Sequence, residues 1–130
     1  KRRRRCGWFD SVLVKQSIAI NGITNIVLTK LDVLDDLKEI KVCIGYDDGN
    51  KKYNYLPFDE KIQKNLFPIY ETLPGWQSST YGLTSWNDLP KNAQNYINFL
   101  EKTIEKNISI ISTGPDRIHT IDRNNLLSNS

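Results

Sequence analysis

The sequence predicts an α/β fold, in which a mostly parallel sheet is flanked by helices and carries an added antiparallel hairpin. Short runs rich in β-branched residues, at 23–28 and 108–111, are typical of strands covered on both faces. An amphipathic helical pattern precedes the second run, at 90–106. A hairpin turn signal, Asp47-Asp48-Gly49-Asn50, lies between two alternating segments. Strands that alternate with helices indicate an α/β sheet.

The first predicted helix begins after Asp10, which can cap it, and runs to about Ile20. Asn21-Gly22 is its stop signal. Its apolar residues lie on several sides, so we expect it to be sandwiched between other elements. The first strand then covers 23–28 and ends in Ile26-Val27-Leu28.

The middle of the chain predicts the hairpin, with strands at 39–46 and 51–55. A short helix at 59–66, an extended segment at 68–72 and a turn at Pro74-Gly75 follow. The amphipathic helix at 90–106 has Pro90 near its first turn. The strand at 108–111 comes next, and a weakly patterned tail holds a possible edge strand at 118–121.

The composition is that of a soluble globular piece, with 38% hydrophobic and 25% charged residues among 130. No apolar run approaches the ~20 residues needed to span a bilayer, and no signal peptide follows the basic start. Cys6 and Cys43 form neither a disulfide framework nor a metal spacing, which favours reduced thiols in the cytoplasm. The sequence has no methionine, so we expect it to be a segment of a longer protein.

The positive charge is local. Five basic residues open the chain, whose net charge is +3, and the remainder has more acids than bases. A nucleic-acid-binding domain more often spreads its positive charge over a face, so this reading is disfavoured. The lone histidine, His119, lacks the neighbouring ligands of a metal site and is interpreted as a bystander.

Two predicted strands deliver polar loops to the sheet edge where α/β proteins bind ligands. The first loop is Thr29-Lys30-Leu31-Asp32, and the second is Ser112-Thr113-Gly114. A carboxylate can accept both adjacent donors of a guanine base, a lysine stem can cover the ring, and backbone N–H groups can meet its O6. Lys-x-Asp is common by chance, and the alternative is a solvated aspartate beside a snorkelling lysine.

The arginine run at 1–5 has its own alternatives, a disordered basic tail or a nuclear-localisation-like signal. Guanidinium groups suit phosphate and carboxylate ligands, because each offers a rigid fork of donors. The run leads directly into the apolar helix entry Cys6-Gly7-Trp8-Phe9-Asp10, so we expect it to belong to a site.

Nearly the whole chain resembles the C-terminal portion of the adenylosuccinate synthetases. Five ordered blocks carry the resemblance: Arg4 to Asp10; Asn21-Gly22-Ile23 with Leu28 to Asp35; Tyr70 to Trp76; Leu89-Pro90 with Ala93, Tyr96 and Ile97; and Ile111 to Arg117. The resemblance implies the end of a P-loop-NTPase-like domain. It divides the chain into an arginine-rich substrate loop at 1–7, an α/β body at 8–117 and a tail at 118–130.

The resemblance also implies roles for individual residues. GTP would be bound by Arg4, Lys30, Leu31, Asp32, Ser112, Thr113 and Gly114. IMP would be bound by Arg2, and L-aspartate by Lys1, Arg2, Arg3 and Arg4. The family usually has glycine where this chain has Lys1, which leaves the conformation of the loop at that residue open.

The reaction implied is the GTP-dependent ligation of L-aspartate to IMP, which forms adenylosuccinate in purine biosynthesis. It requires Mg²⁺ and takes place in a cytoplasmic homodimer. The family's Gly-rich phosphate loop, catalytic aspartate and catalytic histidine have no equivalent here. We therefore expect no catalytic or metal-binding residue in this segment, which should be inactive alone. The alternative is a guanine-nucleotide-binding module without ligase activity.

Overall fold

The computed structural model describes residues 8–57 and 59–123, which separate into two compact units. The first comprises residues 8–23 and 40–73, and the second comprises residues 24–39 and 74–123. Both contain a mixed sheet with helices, so the predicted α/β class is confirmed. No helix in the described residues is long and apolar enough to cross a membrane.

The sheet of the first unit is built around its longest strand, β3. β1 (Phe9–Asp10) pairs with β3 (Glu39–Asp47) in parallel, and β4 (Lys52–Tyr53) pairs with it antiparallel. β5 (Phe67–Pro74) also pairs with β3. The β3–β4 pair is the hairpin that the turn signal predicted. α2 (Glu60–Gln63) is the short helix expected before β5, and it is one turn long.

α1 (Ser11–Asn21) has the ends that its sequence predicts. The Asp10 carboxylate accepts hydrogen bonds from the N–H groups of Val12 and Leu13, 3.0 and 3.1 Å away. Gly22 ends the helix in the left-handed conformation at φ 65°, which glycine adopts without a steric penalty. The expectation that α1 is sandwiched is wrong for the described chain, because Leu13 and Ile20 are 43% and 66% exposed.

The second unit has a three-stranded sheet in the order β2–β6–β7. β2 (Ile26–Leu28) runs parallel to β6 (Ile108–Ser112), and β7 (Thr120–Asp122) runs antiparallel to it. β7 is the edge strand expected in the tail. β2 is the other edge strand among the described residues. The prediction of cover on both faces is wrong for the described chain, in which Val27 is 54% exposed.

The core of the second unit is formed by β6 and by one face of α3 (Lys91–Ile104). The predicted stripe of α3 is confirmed, because all five of its members are buried: Ala93, Tyr96, Ile97, Leu100 and Ile104. On β6, Ile108 and Ile111 are fully buried. Burial at about 25 cal/mol per Å² of apolar surface makes this face the main source of stability for the unit.

A polar cluster joins α3 to the start of β6. The Glu101 carboxylate accepts hydrogen bonds from the N–H of Ile108 at 2.6 Å and from the guanidinium of Arg123 at 2.8 Å. That guanidinium lies 4.2 Å from the ring centre of Trp86. The cluster thus provides hydrogen-bond partners for Ile108, the first residue of β6, and for Arg123, which follows β7. It lies at the end of β6 opposite Ser112.

Candidate functional site

The two polar loops predicted from the sequence lie side by side in the second unit. Leu28 at the end of β2 pairs with Ile111 near the end of β6, and the two strands are parallel. The residues that follow, beginning with Thr29 and Ser112, therefore leave the sheet at the same edge. This is the edge at which α/β sheets place ligands.

The first loop turns sharply at Lys30, which adopts the left-handed conformation at φ 59° and ψ 41°. A residue with a Cβ pays roughly 1–2 kcal/mol for this backbone region. A short 3₁₀ helix, Leu31–Leu34, follows. Leu31 is 1% exposed, so its side chain anchors the loop in the core, while the Lys30 side chain extends into solvent.

Two aspartates of this loop have opposite environments. Asp32 is half-buried, and no donor within residues 8–57 and 59–123 pairs with its carboxylate. Asp35 is 9% exposed and its carboxylate is fully engaged. It accepts from the Trp76 indole N–H at 2.8 Å, and from the N–H and hydroxyl of Thr80 at 2.7 Å each. Asp32 is thus the carboxylate available to a ligand, whereas Asp35 belongs to the framework.

The second loop is held from both sides. Thr113 is fully buried, its hydroxyl donates to the carbonyl of Leu83 at 2.8 Å, and its N–H donates to the carbonyl of His119 at 2.8 Å. The N–H of Gly82 donates to the Thr113 carbonyl at 3.1 Å. The Ser112 hydroxyl donates across the turn to the Gly114 carbonyl at 3.1 Å. The backbone of this loop is therefore fixed by hydrogen bonds within the unit.

His119 packs directly on this loop. A Cβ added at Gly114 would lie 2.9 Å from Cγ of His119, so the contact requires glycine. The imidazole also packs against the Tyr81 ring, with ring centres 5.0 Å apart and planes inclined at 57°, and its Nδ1 accepts from the N–H of Asp116 at 3.4 Å. His119 thus supports the loop structurally, as expected for a histidine without partner ligands. The described residues contain no group of three His, Cys, Asp or Glu side chains arranged to hold a metal ion.

Sequence reasoning missed three residues that hold the first loop in place, namely Asp35, Trp76 and Thr80. No local pattern marks them, because only the fold makes Asp35 a buried acceptor. The predicted ligands Lys1, Arg2, Arg3 and Arg4 lie outside the described residues.

The first unit contains a separate polar cluster around the start of α1. The Tyr46 hydroxyl donates to the Asp10 carboxylate, and the Ser11 hydroxyl donates to the Cys43 carbonyl at 2.6 Å. Burial, together with the adjacent Asp10 carboxylate, raises the pKa values of both Tyr46 and Cys43. The Cys43 thiol is therefore protonated and unreactive at neutral pH, as befits a structural side chain.

Comparison with known proteins identifies the family. The adenylosuccinate synthetase family model matches residues 1–121. The chain belongs to the adenylosuccinate synthetase family. Adenylosuccinate synthetases of Ehrlichia chaffeensis and Coxiella burnetii are 54% and 52% identical to it over 124 and 122 residues. Those alignments cover 95% and 94% of this chain but only 29% and 28% of the relatives.

A solved structure agrees with this membership. The fully ligated adenylosuccinate synthetase of Plasmodium falciparum superposes with a TM-score of 0.84 at 36% sequence identity. The match covers 94% of this chain and 30% of that structure. The chain therefore spans less than a third of the length of the relatives it matches, and the family resemblance extends over most of its own length.

Proposed function

We propose that this chain is the guanine-reading part of an enzyme that uses GTP to join L-aspartate to IMP, forming adenylosuccinate. The observation that carries the proposal is the half-buried carboxylate of Asp32, which has no partner within residues 8–57 and 59–123 and follows a strand that pairs in parallel with the strand before the second loop. Membership of the family supports the reaction, and the geometry of the second unit supports the assignment of the base.

Guanine fits the chemistry of this edge. Its N1–H and exocyclic amino group are adjacent donors, which one carboxylate can accept as a pair of charge-assisted hydrogen bonds. Asp32 supplies that carboxylate, and the exposed stem of Lys30 covers the ring with apolar contact and cation–π attraction. Ser112 and Gly114 face the base from the second strand. Leu31 and Thr113, whose side chains are buried, contribute through the backbone and by holding the two loops in place.

The arginine-rich start of the chain is assigned to the other substrates. Lys1, Arg2, Arg3 and Arg4 would bind the carboxylates of L-aspartate, with Arg2 also contacting IMP and Arg4 also reaching GTP. Guanidinium groups suit these ligands because they bind carboxylates and phosphates bidentately.

The phosphate chemistry is assigned to residues outside this chain. The reaction requires Mg²⁺, which we also assign to residues outside this chain. Because the family's Gly-rich phosphate loop, catalytic aspartate and catalytic histidine have no equivalent here, we expect the segment to be inactive alone, and to act within a cytoplasmic, homodimeric complete enzyme. Nucleic acid and membrane are not expected partners.

The proposal is tested by base selectivity in the complete enzyme that contains this chain. Inosine triphosphate lacks the exocyclic amino group, so it forfeits one of the two hydrogen bonds to Asp32. We expect its KM to exceed that of GTP about 10- to 100-fold, because a hydrogen bond to a charged group contributes about 1.5–3 kcal/mol. Equal KM values for the two nucleotides would refute guanine reading by Asp32. Selective GTP binding without formation of adenylosuccinate would favour the alternative, a binding module without ligase activity.

The role of the arginine-rich start is tested by Arg2→Leu in the same enzyme. Losing a charged partner of the substrate carboxylate should raise the KM for L-aspartate about 10- to 100-fold. The KM for GTP should stay within about threefold, since the base lies with the second unit. Lys64→Leu, which removes a positive charge from an exposed position, is the control for net charge. An unchanged KM for L-aspartate would exclude the carboxylate role.

A further inference from the structure

The two base loops are joined by a third segment of the second unit, residues 76–83. At one end of this segment, Trp76 and Thr80 donate three hydrogen bonds to the Asp35 carboxylate, which follows the first loop. At the other end, Gly82 and Leu83 bond to Thr113 in the second loop, at 3.1 and 2.8 Å. We call residues 76–83 the brace.

The brace is buried and hydrogen-bonded where it touches each loop. Asp35 is 9% exposed, while Thr80 and Thr113 are fully buried, so water does not compete for these bonds. Trp76 is additionally packed on Tyr96 of α3, with ring centres 5.7 Å apart. The brace is thereby anchored to the core helix as well as to the two loops.

Asp35 is linked directly to Asp32, the residue proposed to bind the base. The N–H of Asp35 donates to the carbonyl of Asp32 at 3.1 Å, closing the 3₁₀ turn that carries Asp32. Any shift of Asp35 therefore moves the backbone of Asp32. In the same way, Thr113 lies between Ser112 and Gly114, and its two bonds to the brace hold the chain in place between those residues.

We propose that Asp35 is a positioning residue for base recognition, which acts through the brace to hold the two guanine-reading loops in register with each other. The proposal rests on the function proposed above. A carboxylate must meet two donors of a planar base while the second loop meets its other edge, so both loops need a fixed separation. Displacements of a fraction of an ångström weaken such bidentate contacts, because hydrogen-bond strength falls steeply with angle and distance.

The test compares GTP with inosine triphosphate in the complete enzyme carrying Asp35→Asn. The asparagine NH₂ cannot accept a hydrogen bond, so at least one of the three bonds to the brace is lost: Oδ2 accepts from the Thr80 N–H, and Oδ1 accepts from Trp76 and from the Thr80 hydroxyl. We expect the ratio of kcat/KM for GTP to that for inosine triphosphate to fall about three- to tenfold. KM values for IMP and L-aspartate should stay within about twofold. Loss of thermal stability alone, with the ratio unchanged, would overturn the proposal.

A milder variant keeps the test decisive if Asp35→Asn folds poorly. Thr113→Val has nearly the same shape and removes only the hydroxyl that donates to Leu83, at the other end of the brace. It should lower the same ratio in the same direction. The matched control is Glu101→Gln, which weakens a partly buried carboxylate with two hydrogen bonds at the opposite end of β6. Glu101→Gln should leave the ratio unchanged, and a fall equal to that of Asp35→Asn would overturn the proposal.

The double variant Asp32→Asn/Asp35→Asn separates this inference from the function on which it rests. If Asp35 acts through Asp32, Asp35→Asn should have no further effect on the ratio once Asp32 is changed. Independent, multiplicative effects would overturn the positioning role. If Asp32→Asn itself leaves the ratio unchanged, the base assignment fails. If Asp32→Asn changes the ratio but Asp35→Asn and Thr113→Val do not, the positioning role of the brace is refuted and the base assignment stands.

Discussion

Replacing Asp32 with asparagine in the complete enzyme is expected to raise the KM for GTP about 10- to 100-fold. The substitution removes the negative charge and places a donor opposite the donors of guanine, so a bidentate contact of about 1.5–3 kcal/mol is lost. Steady-state kinetics at saturating IMP and L-aspartate measure the effect. Because the carboxylate has no partner among the described residues, its loss should leave the unfolding temperature nearly unchanged.

The same variant should gain activity with xanthosine triphosphate. Xanthine has a carbonyl where guanine has its amino group, and the asparagine amide can donate to that carbonyl while accepting from N1–H. The matched control is Asp36→Asn, an exposed aspartate four residues further along the same loop. We expect Asp36→Asn to behave as the wild type. Similar KM values for GTP in the wild type and in Asp32→Asn would show that this carboxylate does not read the base.

Replacing Gly75 with alanine is expected to destabilise the protein by at least about 3 kcal/mol. The new Cβ would overlap the carbonyl oxygen of Leu37 and lie 2.9 Å from its carbonyl carbon, and both are backbone atoms. Two hydrogen bonds hold Gly75 in place. Its N–H donates to the carbonyl oxygen of Lys38 at 2.8 Å, and its carbonyl oxygen accepts from the side-chain amide of Asn92 at 2.9 Å. Relief of the clash therefore sacrifices two hydrogen bonds.

Thermal or urea unfolding of the purified enzyme measures this loss. Gly22→Ala is the matched control, because nothing lies within 4 Å of the added Cβ and only the left-handed backbone at φ 65° is strained. That strain costs roughly 1–2 kcal/mol. Gly75→Ala should lower the free energy of unfolding clearly more than Gly22→Ala does. The reverse order would show that the backbone around Leu37 can shift to accommodate the added Cβ at little cost in stability.

The elements best predicted from sequence are those whose signals are local. α1 begins after Asp10, whose side chain caps the helix, and ends at Gly22, which adopts the left-handed conformation. α3 follows from a single apolar stripe, because a helix with one apolar face has one way to bury it. The hairpin follows from its turn residues in the same manner.

The sequence predicts less well whether both faces of a strand, or all sides of a helix, are buried. β2 is apolar throughout, yet Val27 is exposed, because no element of the described chain covers that face of the strand. α1 carries apolar residues around its circumference, yet Leu13 and Ile20 are exposed. Composition reports that a face is apolar, whereas what covers it depends on tertiary neighbours that a local pattern does not encode.

The adjacency of the two polar loops could be predicted from the sequence, but the different environments of the two aspartates could not. Parallel strands bring their carboxyl ends to one edge, so the loops after Leu28 and Ile111 were expected together. Asp32 and Asp35 look alike in sequence. Only contacts with Trp76 and Thr80, 41 and 45 residues from Asp35, make one of them structural.

The pairing of β2 with β6 determines when this sheet can assemble during synthesis of the chain. Asn25 and Ser109, which are hydrogen-bonded at 3.0 Å, are 84 residues apart in the chain. Closing a loop of that length costs on the order of 4 kcal/mol of chain entropy before any contact compensates it. At ribosomal speeds of about 5–20 residues per second, roughly 4–16 s separate the emergence of the two strands. The loop that follows β2 therefore has no sheet partner until β6 has been synthesised, and the edge formed by the loops after β2 and β6 assembles late.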